Sequence, residues 1–254
     1  MNSIKKMMLS GALGCLISGM AYADGSSPQP VKPYWQDIQV VAVNKEKPRS
    51  SFMSYADRET ALTSRFEKSP YYSLLNGTWK FFFVDSYKDL PQNITDPSVN
   101  TSSWDDITVP GNWEVQGHGV AIYTNHGYEF KPRNPQPPLL PEANPVGVYR
   151  RDIEIPANWD NRDIYLHIGG AKSGLYVILN GKEVGYSEDS KNPAEFLINK
   201  YLQPGKNVLT LKIFRWSTGS YLECQDFWRM SGIERDAVSF SHLRAHETEL
   251  HLVC

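Results

Sequence analysis

From Gly147 to Phe214 the chain is divided into short runs, each closed by a glycine, proline or asparagine turn, and no stretch between them is long enough for an extended helix. Residues 148–155 alternate polar and apolar side chains in their second half, and residues 163–168 alternate as well. A period of two places every second side chain on one face of an extended backbone, the mark of a half-buried strand. Residues 174–179 (Gly-Leu-Tyr-Val-Ile-Leu) are nearly all apolar, as in a strand buried on both faces. Asn180-Gly181 follows at once. That pair suits a two-residue hairpin because both of its residues tolerate positive φ. Strands are expected over 182–187, 194–198 and, after the Pro204-Gly205 turn, 207–214. Short strands at roughly 8–12-residue spacing predict an all-β sandwich.

The earlier part of the chain carries the same signal less cleanly. Residues 1–23 read as an export signal: Lys5 and Lys6, an apolar stretch from Met7 to Met20, then Ala21-Tyr22-Ala23 as a small-x-small cleavage site. A lipid-anchor alternative through Cys15 calls for a leucine three residues earlier, where Ala12 stands. The expected destination is the periplasm or the medium of a bacterium. The apolar stretch is too short to span a bilayer, and no membrane span is expected elsewhere. Residues 24–50 read as an extended N-terminal segment with Trp35 as its large anchor, and 51–72 as loop or one short helix. Asn76-Gly77 turns the chain into a strand over 80–84, and Pro110-Gly111 ends another begun near Trp104. The proline-rich stretch 131–145 is a stiff connection rather than a domain linker. The formal net charge of −2 gives no electrostatic footprint for nucleic acid. Three cysteines, one of them inside the export signal, make no disulfide framework; Cys224 and Cys254 are read as free thiols.

Chemistry concentrates in residues 215–236, after the final clear strand. Trp216, Tyr221, Phe227 and Trp228 stand there among Arg215, Arg229 and Arg235 and the acids Glu223, Asp226, Glu234 and Asp236. Aromatic faces with a few fixed polar groups suit a sugar, whose C–H faces stack on rings while its hydroxyls need oriented hydrogen bonds. The plainer reading is a strand end whose tryptophans pack and whose arginines pair with Glu223, Glu234 or Asp236. Of Trp79, Trp104, Trp113, Trp159, Trp216 and Trp228, packing is expected of all but Trp228, the one candidate platform.

Several stretches in order resemble the N-terminal domain of glycoside hydrolase family 2, and within it the large bacterial β-galactosidases. They are residues 75–80 (Leu-Asn-Gly-Thr-Trp-Lys), 109–114 (Val-Pro-Gly-Asn-Trp-Glu), 122–125 (Ile-Tyr-Thr-Asn), 144–150, 179–181, 185–190, 193–196 and the whole of 215–236. The resemblance implies a jelly-roll β-sandwich, galactose-binding-like, that lends loops to one wall of a galactoside pocket beside a catalytic barrel. It implies substrate-binding roles for Asn125 and Asp226 and a role for Asp226 in holding sodium; Trp228 is added to the substrate-binding set as the candidate platform weighed above. The physics agrees, since an ionised carboxylate is acceptor-only and hard oxygen ligands suit hard cations. Sodium and magnesium are implied for the complete family enzyme; no cofactor is assigned from this chain alone.

Retaining glycoside hydrolysis needs two carboxyl groups roughly 5–5.5 Å apart. In the family both are glutamates of the barrel, and no run of alternating βα units is present here. No catalytic residue is therefore assigned, and the expected activity is β-galactoside hydrolysis in the complete family enzyme, with this chain inactive by itself. Two other readings stand beside this one: a free carbohydrate-binding module, and a docking fragment that works on a partner chain. Residues 51–236 are expected to form the sandwich and 237–254 an atypical tail, the mark of a frameshift or premature stop near residue 237. A metal reading of His242, His246, His251 and Cys254, resting on i, i+4 spacing along a helix, is the lesser alternative to a tail without function.

Overall fold

The computed structural model describes residues 32–130, 134–223 and 225–243. Among these the chain forms strands β1 (Ala42–Val43), β2 (Tyr72–Leu74), β3 (Gly77–Val84), β4 (Asp105–Val109), β5 (Gly111–Asn112), β6 (Ile122–Thr124), β7 (Val146–Glu154) and β8 (Arg162–Ile168). It continues with β9 (Ala171–Lys172), β10 (Gly174–Leu179), β11 (Lys182–Ser187), β12 (Ala194–Leu197), β13 (Lys206–Phe214), β14 (Phe227–Arg229), β15 (Gly232–Ile233) and β16 (Ala237–Leu243). One α-helix, α1 (Arg58–Leu62), is capped by the Asp57 carboxylate, which accepts from the Thr60 amide.

The large sheet runs β1-β11-β10-β13-β7-β3-β4 and the second sheet β12-β8-β16-β2, with every pairing antiparallel. Alternation along β8 buries Ile164, Leu166 and Ile168, and these meet Trp79 and Phe81 of β3, Val177 of β10 and Leu211 of β13 in the principal core. Burying each such aliphatic or aromatic side chain contributes about 1.5–3 kcal/mol relative to exposure. The large sheet is covered on its other face too. There Val146, Val148, Ile178 and Phe214 pack under Trp35, Ile94 and Trp104. This second cover explains the all-apolar run of β10, every residue of which is buried. Arg150 fastens the cover, donating to the carbonyls of Ile94 and Val99 at 2.8 and 3.2 Å.

The all-β sandwich expected from the sequence is the observed architecture. The hairpin expected at Asn180-Gly181 joins β10 to β11 with Leu179 opposite Lys182, and both turn residues have positive φ. At Asn76-Gly77 the turn does something else: it carries the chain from the second sheet into the large one.

Both expected boundaries of the sandwich move outward. In the N-terminal segment, Trp35 is a core residue and β1 forms the edge of the large sheet against β11. At the other end, residues 237–243 are a full strand lying between β8 and β2. The alternation there is weak because Ser239 and Ser241 are buried as fully as Val238 and Phe240, so polarity does not report which face is inside. His242 is therefore a strand residue and not one step of a helical metal motif. Its Nδ1 lies 3.1 Å from the Ser54 hydroxyl, and the rings of Phe52, Tyr165 and Phe240 surround it. His246, His251, Cys224, Cys254 and residues 1–23 lie outside the described residues.

Burial, reinforced by the nearby Arg49 charge, pushes the His242 imidazole down from 6.5 to about 4. Below its ordinary value the unfolded chain takes up a proton that the folded chain refuses, so stability contributed at neutral pH drains away as the pH falls from 6.5 toward 4. In urea unfolding across that window, His242→Gln is expected to show a shallower loss of stability than the parent; parallel pH slopes would refute the assignment.

Candidate functional site

A two-stranded ribbon of β6 and β14 projects from one end of the sandwich, with Thr124 opposite Phe227 and Tyr123 opposite Trp228. Asn125 follows Thr124 and Asp226 precedes Phe227, so both adjoin the last cross-strand pair at the same end of the ribbon. Both are exposed. Directly opposed residues share a sheet face. The Tyr123 and Trp228 rings accordingly sit 5.6 Å apart, tilted by 57°. Both remain about half exposed, at 53% and 54%, where Trp35, Trp79, Trp113 and Trp159 are at 1% or less. Trp104 and Trp216 are buried as well, which leaves Trp228 as the exposed tryptophan.

Polar contacts complete the tip. The Tyr123 hydroxyl donates to Asp226 Oδ1 at 2.8 Å, and Asn125 Oδ1 lies 2.8 Å from His126 Nδ1. The hydrogen bond to Asp226 and then its charge push the Tyr123 phenol above its ordinary value. Beside Asp226, between Gln225–Phe227 and residues 189–191, is a cleft of about 380 Å³. Lys172 lines it and forms a buried ion pair with Glu129 at 3.0 Å.

A ribbon this short does not stand without support. Its support is Arg215, the residue after β13 and itself buried. One terminal nitrogen, Nη2, donates to the Val120 carbonyl ahead of β6 at 2.8 Å and to the Arg229 carbonyl on β14 at 3.2 Å. The other, Nη1, lies 3.7 Å from the fully buried carboxylate of Glu114, whose second oxygen accepts the Ser231 amide at 2.8 Å. The stretch between β13 and β14 is held separately. Glu188 is buried and accepts from the Tyr186 hydroxyl, the Thr218 hydroxyl and the Gly219 amide, and Glu223 accepts the Ser190 amide and hydroxyl. Burial pushes the Glu188 carboxyl upward. Asn144 pairs with both backbone groups of Trp216, as a neighbouring strand would.

The ion pairs expected within 215–236 are replaced by other partners. Arg229 donates to the Glu223 carbonyl rather than its carboxylate and lies over the Phe227 ring, while Arg235 donates to the Lys191 carbonyl and Glu234 pairs with Lys191. Each acid had a nearer donor on a segment distant in sequence. Tyr123, Arg215, Glu114 and Glu188 were not singled out from the sequence as site residues, although each lies within a motif quoted for the resemblance or at its edge. Replacing the acid by Asp226→Asn is expected to lower the pKa of one tyrosine toward its ordinary value in a ¹³C-tyrosine NMR titration. Tyr123→Phe identifies the resonance, and an unshifted Tyr123 would contradict the contact.

Comparison with known proteins gives this geometry a context. A profile described as "Glycosyl hydrolases family 2, sugar binding domain" matches residues 72–243. A β-galactosidase of Priestia megaterium is 39% identical over 217 residues, 84% of this chain and 21% of that protein. One from Actinobacillus pleuropneumoniae is 40% identical over 80% of this chain and 19% of its own length. The chain thus spans about a fifth of the length of the curated relatives it matches. Among solved structures, a β-glucuronidase from Bacteroides uniformis superposes with a TM-score of 0.51 at 22% identity, over 68% of this chain and 18% of that one, a likeness of fold. By the extent of the profile match and the identity to its relatives, the chain belongs to the sugar-binding domain of glycosyl hydrolases family 2.

Proposed function

We propose that this chain supplies one wall of a β-galactoside site whose catalytic groups come from outside the sequence, with the whole assembly hydrolysing β-galactosides. The feature that supports the reading is the ribbon's end: Asn125 and Asp226 adjoin the opposed pair Thr124 and Phe227, and the exposed Trp228 ring belongs to the next cross-strand pair. Asp226 keeps Oδ1 occupied by Tyr123, which fixes the carboxylate plane and directs Oδ2 toward a sugar hydroxyl. Asn125 offers amide donors to a neighbouring hydroxyl while His126 holds its oxygen. Trp228 presents a ring face for the C–H surface of the sugar.

The chemistry of Asp226 fits a hard cation, because a carboxylate oxygen is the ligand type that sodium takes. This chain would contribute that single oxygen. Among the described residues no group of three or more His, Cys, Asp or Glu gathers to hold a metal. Bound sodium would offset the Asp226 charge. Nucleophile and acid/base are assigned to no residue here, and this chain's work is binding and orientation.

Exposed apolar side chains precede both ribbon strands in sequence: Val120, 71% exposed, precedes β6 and its carbonyl is held by Arg215, and Leu222, 84% exposed, precedes β14. They support a surface that seats against a further domain. Residues 1–23 fit the same picture as an export signal, delivering the chain to the periplasm or medium; N-terminal sequencing of exported protein is expected to begin at Asp24. Among the described residues no helix is long and apolar enough to cross a membrane.

The reading is tested by complementation. The full chain is mixed with the Priestia megaterium β-galactosidase lacking the segment matched here, and hydrolysis of a chromogenic β-galactoside is followed. Activity is expected only from the mixture, and Asp226→Ala is expected to reduce it by about 100-fold or more. Hydrolysis by this chain alone, or full activity from the Asp226→Ala mixture, would overturn the proposal.

A further inference from the structure

A second cleft, about 590 Å³, lies on the outer face of the smaller sheet and includes none of the ribbon residues. Volumes of roughly 300–1,000 Å³ are those that small ligands occupy. Its roof is the segment 45–53, pinned at both ends. The Glu46 amide donates to the Glu195 carbonyl at 2.8 Å, and beyond the other end the Ser69 hydroxyl donates to the Ser54 carbonyl. Its floor is made by Val238 and Phe240 of β16 and Tyr72 of β2. Phe52 and Phe66 line it with 42% and 38% of their surface open.

The ring surfaces are held in place. The Arg49 guanidinium lies 4.4 Å from the Phe52 ring centre and 5.3 Å from that of Phe240, while donating through Nε and Nη2 to the two oxygens of Glu195. Glu195 Oε1 also lies 2.9 Å from His167 Nδ1. Arg49 and Glu195 therefore neutralise one another and serve as a frame. The remaining charges nearly balance, with Lys45 and Lys47 facing Glu46, Asp189 and Asp236. Neither lysine forms an ion pair with a described residue, and the Asn192 amide beside Asp189 adds polar capacity to the wall.

Fixed aromatic faces, a balanced charge and hydrogen-bonding side chains around the edge match a ligand that is uncharged, has apolar C–H faces and carries many hydroxyls. We propose that this cleft binds a neutral mono- or disaccharide, separately from the ribbon site, with Phe52, Phe66 and Tyr72 as its stacking surfaces. Lys45, Lys47 and Asn192 provide the polar contacts. The proposal does not depend on the function assigned to the ribbon, and either can fail without the other.

The test is a titration of the ¹⁵N-labelled full chain with lactose and, separately, cellobiose, followed by NMR. Saturable shifts are expected at residues 45–53, 66, 72 and 192 for at least one sugar, with a dissociation constant on the order of millimolar. Asp226→Ala is expected to leave this affinity within about twofold, and Phe66→Ala to weaken it by about tenfold. Phe52→Ala is the second variant should Phe66→Ala not fold, as judged by circular dichroism. No saturation with either sugar up to roughly 100 mM overturns the proposal. So do shifts confined to residues 122–126 and 226–229 and abolished by Asp226→Ala.

Discussion

A single buried guanidinium holds the ribbon in place. Arg215 leaves the end of β13, the best-paired strand of the large sheet, and reaches the carbonyls of Val120 and Arg229 on the two arms of the ribbon. Burying a charge costs several kcal/mol unless it is paired and hydrogen-bonded. Arg215 meets this through two carbonyls and the nearby Glu114 carboxylate, which in turn fixes the Ser231 backbone. The same group thus ties both arms of the ribbon to the end of β13, while its Nε and Glu114 Oε1 stay buried without a hydrogen bond among the described residues. Removing either side of the pair would leave a charge in the interior and free the ribbon at once.

The second constraint is that the large sheet is buried on both faces. A sandwich of two sheets has one core, and here the outer face of β7, β10 and β13 carries a further layer supplied by Trp35, Ile94 and Trp104. Long loops and an N-terminal segment of low regularity do the covering, which is how segments without regular structure become parts of the fold. Arg150 is the counterpart of Arg215 on that face, tying loop carbonyls to the sheet. In both places an arginine fork satisfies backbone groups that no strand partner reaches.

Family membership and geometry bear on different questions. Relatives about five times longer than the matched segment set the family, and they leave open what this chain does by itself. The ribbon tip and the outer cleft are two surfaces with different chemistry. The tip is exposed and narrow, with one acid bound by one phenol; the cleft is roofed and lined by rings, with its strongest charges already paired to one another. In the proposed function the first is completed from elsewhere, whereas the second is a concavity lined by residues of this chain.

Local patterns were legible in the sequence. The period of two along β8, the unbroken apolar run of β10 and the Asn180-Gly181 turn each depend on neighbours only a few residues away, and each took the expected form. Asn125 and Asp226 were carried over from the family resemblance, and the other tryptophans, for which packing was expected, are buried. What the sequence did not disclose were partners far along the chain. Tyr123 and Asp226 are 103 residues apart, Arg215 and Val120 are 95 apart, and Glu223, Glu234 and Arg235 bond to residues 190 and 191. The strand at 237–243 was assigned to the tail because its alternation is weak, and burial of Ser239 and Ser241 as well as Val238 and Phe240 explains why polarity marks its faces poorly. Periodicity determines which side chains share a face; which faces and which distant donors then meet is decided by packing, because a buried polar group takes whatever partner the closed sandwich brings within reach.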